Sequence, residues 1–139
     1  MTQHRTLIFG DLHRTVAFGY FIILTLVATL NYIPGVRDAQ GLTFGIFALD
    51  IYDDALHAGS ALWALAAALI SARAARTFLL LFGAIYLGDG LLGLATGSGY
   101  LDLGIWNYGI QDLDLVFKIK ANTPHIALGG FALLMGLRK

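Results

Sequence analysis

Four apolar runs constrain this chain more than anything else in it. They cover roughly Thr15 to Tyr32, Ala55 to Ala72, Thr77 to Thr96, and Asn122 to Leu137. An α-helix needs about 20 residues to cross a hydrocarbon layer of about 30 Å. The second and fourth runs are short, so flanking polar groups must snorkel or the bilayer must thin slightly. The rest of the composition agrees, with 58% hydrophobic residues, 13% charged residues and a mean hydropathy of +0.72. A water-soluble domain carries about 25% charged residues. The chain therefore reads as an all-α membrane protein, a single domain over residues 1–139 with four transmembrane helices.

Charge orients it. Four crossings put both termini on one side, and with the termini inside the cytoplasmic pieces hold Arg5, Arg14, Arg73, Arg76, Arg138 and Lys139. The outer loops hold Arg37, Lys118 and Lys120. Short loops rich in Lys and Arg stay in the cytoplasm, so both termini are expected there. Seven aspartates (Asp38, Asp50, Asp53, Asp54, Asp102, Asp112, Asp114) then face outward. The first run follows basic residues as a signal peptide would. It ends in "NYIPG" without a small-x-small cleavage site and is read as a membrane helix. A net charge of zero gives no reason to expect a nucleic-acid partner, and the absence of cysteine removes disulfide and thiolate chemistry.

The two halves of the chain repeat one pattern. Asp54-Ala-Leu-His57 aligns with Asn122-Thr-Pro-His125, "FGIF" (Phe44 to Phe47) with "LGIW" (Leu103 to Trp106), and Phe18-Gly19 with Phe82-Gly83. The expectation is two tandem helical hairpins, approximately 12–74 and 75–139, related by a pseudo-twofold axis along the membrane normal. Asp54 and Asn122 then read as helix N-caps, since a short side-chain oxygen accepts an orphan N–H of the first turn. Pro124 would sit in that first turn, where its missing N–H does no harm.

The same alignment has a chemical reading. It would bring His57 and His125 to matching depth beneath the outer surface, as neutral rings suited to a metal or haem iron. Two histidines fall short of the three or four ligands of a recognisable metal signature. Asp89, in "YLGDGLLG", lies inside the third run. A carboxylate at such depth is a functional candidate with a partner to be named, here His57 or His125. It could equally be a packing device bonded to backbone beside Gly88 and Gly90. Asp53 completes the candidate polar site, and no cofactor is specified.

Other features read as architecture. Gly83, Gly90, Gly93, Gly97, Gly129 and Gly130 allow close helix approach. Tyr32, Tyr100, Trp106 and Tyr108 fit an interfacial aromatic belt, while Trp63 reads as packing. Alternation over Leu113 to Lys120 suggests a strand, paired with Leu42 to Ile51 as an outer cap. An interfacial amphipathic helix is the rival.

The run Asp50-Ile-Tyr-Asp53-Asp54-Ala-Leu-His57, preceded by "FGIFA", resembles a small bacterial membrane family labelled domain of unknown function 4383, and so does Asn122-Thr-Pro-His125. Members have four helices, with an Asn-Pro-x-His-Asn-x-x-His run opening the second and an Asn-x-x-His opening the fourth. Asp53 and Asp54 stand here where the family has histidine and asparagine. The resemblance implies a bacterial inner-membrane protein and no activity. With no recognisable nucleophile, phosphate loop or metal signature, two functions are expected. One is a non-catalytic accessory or scaffold subunit that self-associates or joins other membrane proteins. The other is a binding or transfer protein that uses His57, Asp89 and His125 for a metal, haem, lipid head group or proton.

Overall fold

Short polar side chains start every long helix. The computed structural model describes residues 8–139, which hold five α-helices and no β-strand. Helix α1 (Leu12–Thr29) begins at Asp11, whose carboxylate accepts the Arg14 N–H, and a 3₁₀ turn over Leu30–Tyr32 extends it. Helix α2 (Ile51–Ile70) begins with a capping box: Asp50 accepts from Tyr52 N and Asp53 N, and Asp53 accepts from Asp50 N. Ser71 both ends α2 and caps α3 (Ala72–Thr96), so these helices meet with a single residue between them. Helix α3 stops at Gly97, which adopts the left-handed conformation (φ 81°) that favours glycine. The short α4 (Gly104–Tyr108) lies in the loop between α3 and the last helix, and Asp114 caps α5 (Leu115–Leu137).

Three expectations change here. Asp54 and Asn122 are not N-caps: the caps are Asp50 and Asp114, so both lie inside helices. The alternating stretch Leu115 to Lys120 is the first part of α5, not a strand. Around residues 42–51 only isolated bridges occur, Arg37 with Thr43 and Thr43 with Phe47. Pro124 is therefore in a helix interior, where it removes one backbone hydrogen bond. Next to it, Asn122 Nδ2 donates to Lys118 O (2.8 Å) and Thr123 Oγ1 to Ile119 O (2.6 Å). These side chains supply hydrogen bonds at the turn where the proline cannot.

The helices pack chiefly as α1 with α2 and α3 with α5. Glycine brings the second pair backbone to backbone. A Cβ at Gly129 would fall on Leu87 N and within 2.8 Å of its Cα, and one at Gly83 would fall on Leu133 N. Alanines play the corresponding part on α2, where Ala61, Ala64, Ala67 and Ala68 are buried. Between the hairpins the core is aromatic, with Tyr20, Phe78, Phe82 and Tyr86 in a chain of ring contacts, Phe82 and Tyr86 stacked at 4.0 Å. Trp63 packs edge-on against Phe78 at 4.9 Å.

Contacts of a similar kind occur in the two halves. Tyr20 on α1 donates to Leu128 O on α5 (2.5 Å), and the Tyr86 hydroxyl on α3 pairs with Ser60 Oγ on α2 (3.0 Å). At the other end, Arg14 Nε donates to Ala68 O near the end of α2 (2.7 Å), and Arg76 Nε to Gly136 O near the end of α5 (2.9 Å). A cation beside unpaired terminal carbonyls is favoured by the helix dipole. His57 and His125, Ser60 and Leu128, and Ala68 and Gly136 are each 68 residues apart.

The outward faces are apolar. Ile22, Ile23 and Leu26 on α1, Leu62, Leu69 and Ile70 on α2, and Phe131, Leu134 and Leu137 on α5 are all exposed. By length and composition, Leu12–Tyr32 and Ala72–Thr96 are long and apolar enough to cross a membrane. Helices α2 and α5 carry polar residues in their N-terminal halves: Asp53, Asp54 and His57 in one, Lys118, Lys120, Asn122 and His125 in the other.

Candidate functional site

The polar residues of the helix interiors gather at the end of the bundle that carries the two long loops. Asp89, 3% exposed on α3, sits one turn beyond Tyr86. Gly90 beside it leaves room for α5, since a Cβ there would lie 2.9 Å from Ile126 N and 3.1 Å from His125 Cβ. His125 thus reaches Asp89, with Nδ1 2.6 Å from Oδ2. The other carboxylate oxygen, Oδ1, accepts the backbone N–H groups of Tyr100 (2.6 Å) and Leu101 (2.8 Å). The Tyr100 hydroxyl returns to Ile85 O. One buried carboxylate therefore holds a loop and a neighbouring helix together.

His57 is buried on α2, and its Nδ1 lies 2.7 Å from the Asp53 carbonyl oxygen. A carbonyl only accepts, so Nδ1 carries the proton and Nε2 the lone pair. The carboxylate partner assigns the same tautomer to a neutral His125. Among the described residues, neither Nε2 is hydrogen-bonded to a protein group. The ring centres stand 6.1 Å apart, with Tyr86 5.0 Å from His125 and 6.4 Å from His57.

His125 thus bonds Asp89, and the His57 ring stands 6.1 Å from that of His125. Asp53 contributes through its backbone oxygen, and its carboxylate serves the capping box. Asp53 lies ahead of the apolar run that starts at Ala55, and burial pushes its carboxyl from the ordinary 3.8 up to about 6. The Asp50 N–H opposes that rise, the Asp102 and Asp50 charges add to it, and His125 opposes it. Because the folded value is raised, Asp53 contributes its stability fully below about pH 4, and this is lost as pH rises through about 6. Asp53→Asn is expected to flatten the stability profile over that window in equilibrium unfolding at fixed ionic strength. An unchanged slope would refute the assignment.

Asp54 has a different role from the cap expected of it. Its carboxylate accepts Asn31 Nδ2 (3.0 Å) and the Tyr32 hydroxyl (3.0 Å), and Asn31 also accepts from Thr43 Oγ1 (3.0 Å). Asp54 ties the start of α2 to the end of α1, and through Asn31 to the loop at Thr43, as Asp89 ties the loop at Tyr100 and Leu101 to α5. Asn122 packs its amide against Gly93. Sequence reasoning missed Ser60 and the Tyr100 and Leu101 N–H groups. Ser60, three residues after His57 on one helix face, carried a usable signal; backbone N–H groups carry none.

Among the described residues, no group of three or more His, Cys, Asp or Glu side chains is placed to hold a metal ion. Two imidazoles are what the site offers. No family model matches the chain, and neither does any curated protein or solved structure.

Proposed function

We propose that the protein is an integral membrane protein of four crossings that binds a small ligand in a site formed by His57, Asp89 and His125 just beneath its outer surface. The observation that carries this reading is the meeting of two anchored imidazoles from different hairpins, each with its Nε2 lone pair unused by the protein. Among the described residues no buried side-chain nitrogen or oxygen lacks a partner, so both Nε2 atoms keep accessible surface from which a ligand can reach them. Binding rather than catalysis is proposed because the hydroxyls nearest the rings, Tyr86 and Ser60, are bonded to each other.

Apolar outward faces on α1, α2 and α5, together with the two qualifying helices, support the membrane placement. Similar tyrosine and arginine contacts in the two halves support a pseudo-twofold axis along the membrane normal. The basic residues Arg14, Arg73 and Arg76 share the end away from the site, which argues for cytoplasmic termini. The resemblance of His57 and Asn122 to His125 to a four-helix bacterial family supports an inner-membrane location.

With no native cysteine, topology is directly measurable. In intact cells Gln40→Cys is expected to react with a membrane-impermeant maleimide, and Lys139→Cys only after permeabilisation. Labelling of both in intact cells would overturn the orientation. For the site, native mass spectrometry of detergent-purified protein is expected to retain a small ligand that His57→Ala/His125→Ala loses. Identical spectra for the two proteins would refute the site.

An accessory-subunit role is the second reading. Most of the interior glycines serve α3 and α5 themselves, while Gly19, Gly59 and Gly130 have open space where a Cβ would be. Those three positions are where a partner helix could approach closely. Recovery of an isolated monomer under native conditions would end this reading.

A further inference from the structure

We infer that the ligand of this site is a single copper(I) ion held between His57 Nε2 and His125 Nε2, an assignment that rests on the ligand-binding role proposed above. Metal-binding histidines characteristically donate the other ring N–H to a carbonyl or carboxylate, which fixes the tautomer and raises ligand basicity. Both rings have that partner: the Asp53 carbonyl at 2.7 Å for His57 and the Asp89 carboxylate at 2.6 Å for His125. Asp89 is itself held by two backbone N–H groups, so the supporting layer is complete before any ion arrives.

The number and spacing of ligands select the ion. Zinc takes four ligands in a closed site and three in a catalytic one, and no such set is gathered among the described residues. Magnesium and calcium require oxygen ligands. Copper binds imidazole well, and its filled-shell monovalent form is satisfied by two ligands on opposite sides. A metal–nitrogen bond of about 2.0 Å to each ring requires the two rings to lie close together. The observed separation of the ring centres is 6.1 Å. Tyr86, its hydroxyl held by Ser60, walls the pair on one side. Asp50, Asp53 and Asp54 at the start of α2 add negative charge on the helix that carries His57, which favours a cation.

The test uses the full chain in detergent micelles, titrated with copper(I) against a chromophoric copper(I) chelator. One equivalent is expected to bind, with x-ray absorption reporting two nitrogen ligands. His57→Ala and His125→Ala should each weaken binding at least tenfold, and Asp89→Asn, which loses the carboxylate partner, by about 10- to 100-fold. His13→Ala, at the opposite end of α1, should bind as the parent does. Far-UV circular dichroism of each variant separates a lost ligand from a lost fold, and His57→Gln provides a second, size-conserving variant. Absence of bound copper in the folded parent, or equal affinity in His57→Ala/His125→Ala, overturns the assignment. If copper fails while another small molecule is retained through the two histidines, the copper assignment falls and the binding site stands. If nothing retained depends on them, both fall.

Discussion

Asp89→Ala is expected to lower the unfolding free energy by about 3–5 kcal/mol, since each buried donor left without its acceptor costs about 1–3 kcal/mol. Three groups lose their acceptor together: His125 Nδ1, Tyr100 N and Leu101 N. The side chain is 3% exposed, so water is poorly placed to substitute. Asp89→Asn should be milder, about 1–2 kcal/mol. Its oxygen still accepts both backbone N–H groups, while its amide faces His125 Nδ1 and drives that ring's proton to Nε2. The order Ala below Asn below parent is the signature, read from unfolding in mixed micelles. Hydrogen exchange should also rise at residues 100–101 in Asp89→Ala. A parent-like Asp89→Ala would mean that the carboxylate holds neither loop nor helix.

Gly129→Ala should be nearly as damaging, at about 3 kcal/mol, the upper part of the usual overpacking range. The added methyl meets backbone, with Leu87 Cα at 2.8 Å and Tyr86 C at 2.9 Å, so no rotamer change relieves it. α3 and α5 must separate, which also pulls His125 away from Asp89. Gly130→Ala is the matched control, because its Cβ meets nothing within 4 Å. That substitution should be neutral or slightly stabilising, since alanine is the better helix former. Equal thermal stability of the two variants would show that backbone contact at Gly129 does not set the spacing of the pair.

How legible was this molecule beforehand? The helices were, because apolar runs broken by Ser, Asp and Gly need no tertiary information to be located. The shared motif of Asp54 to His57 and Asn122 to His125 pointed to the two histidines, and the position of Asp89 within an apolar run singled out that carboxylate. The caps were not legible. Asp50, Asp53 and Asp54 are all chemically competent, and only the backbone path decides that Asp50 and Asp53 close the capping box while Asp54 turns to Asn31 and Tyr32. Leu113 to Lys120 misled for a related reason. Its two-residue alternation is a strand signal, but Asp114 caps a helix there and α5 continues it into the apolar run.

Local chemistry by itself determined that the chain is predominantly helical and strongly apolar, because periodicity and hydropathy are properties of neighbouring residues. Tertiary structure alone decided which hydrogen-bond acceptor each buried donor found. Those choices depend on groups 22, 36 or 108 positions apart, such as Tyr32 with Asp54, Asp89 with His125, and Tyr20 with Leu128. No local pattern encodes such distances; the folded path of the backbone does.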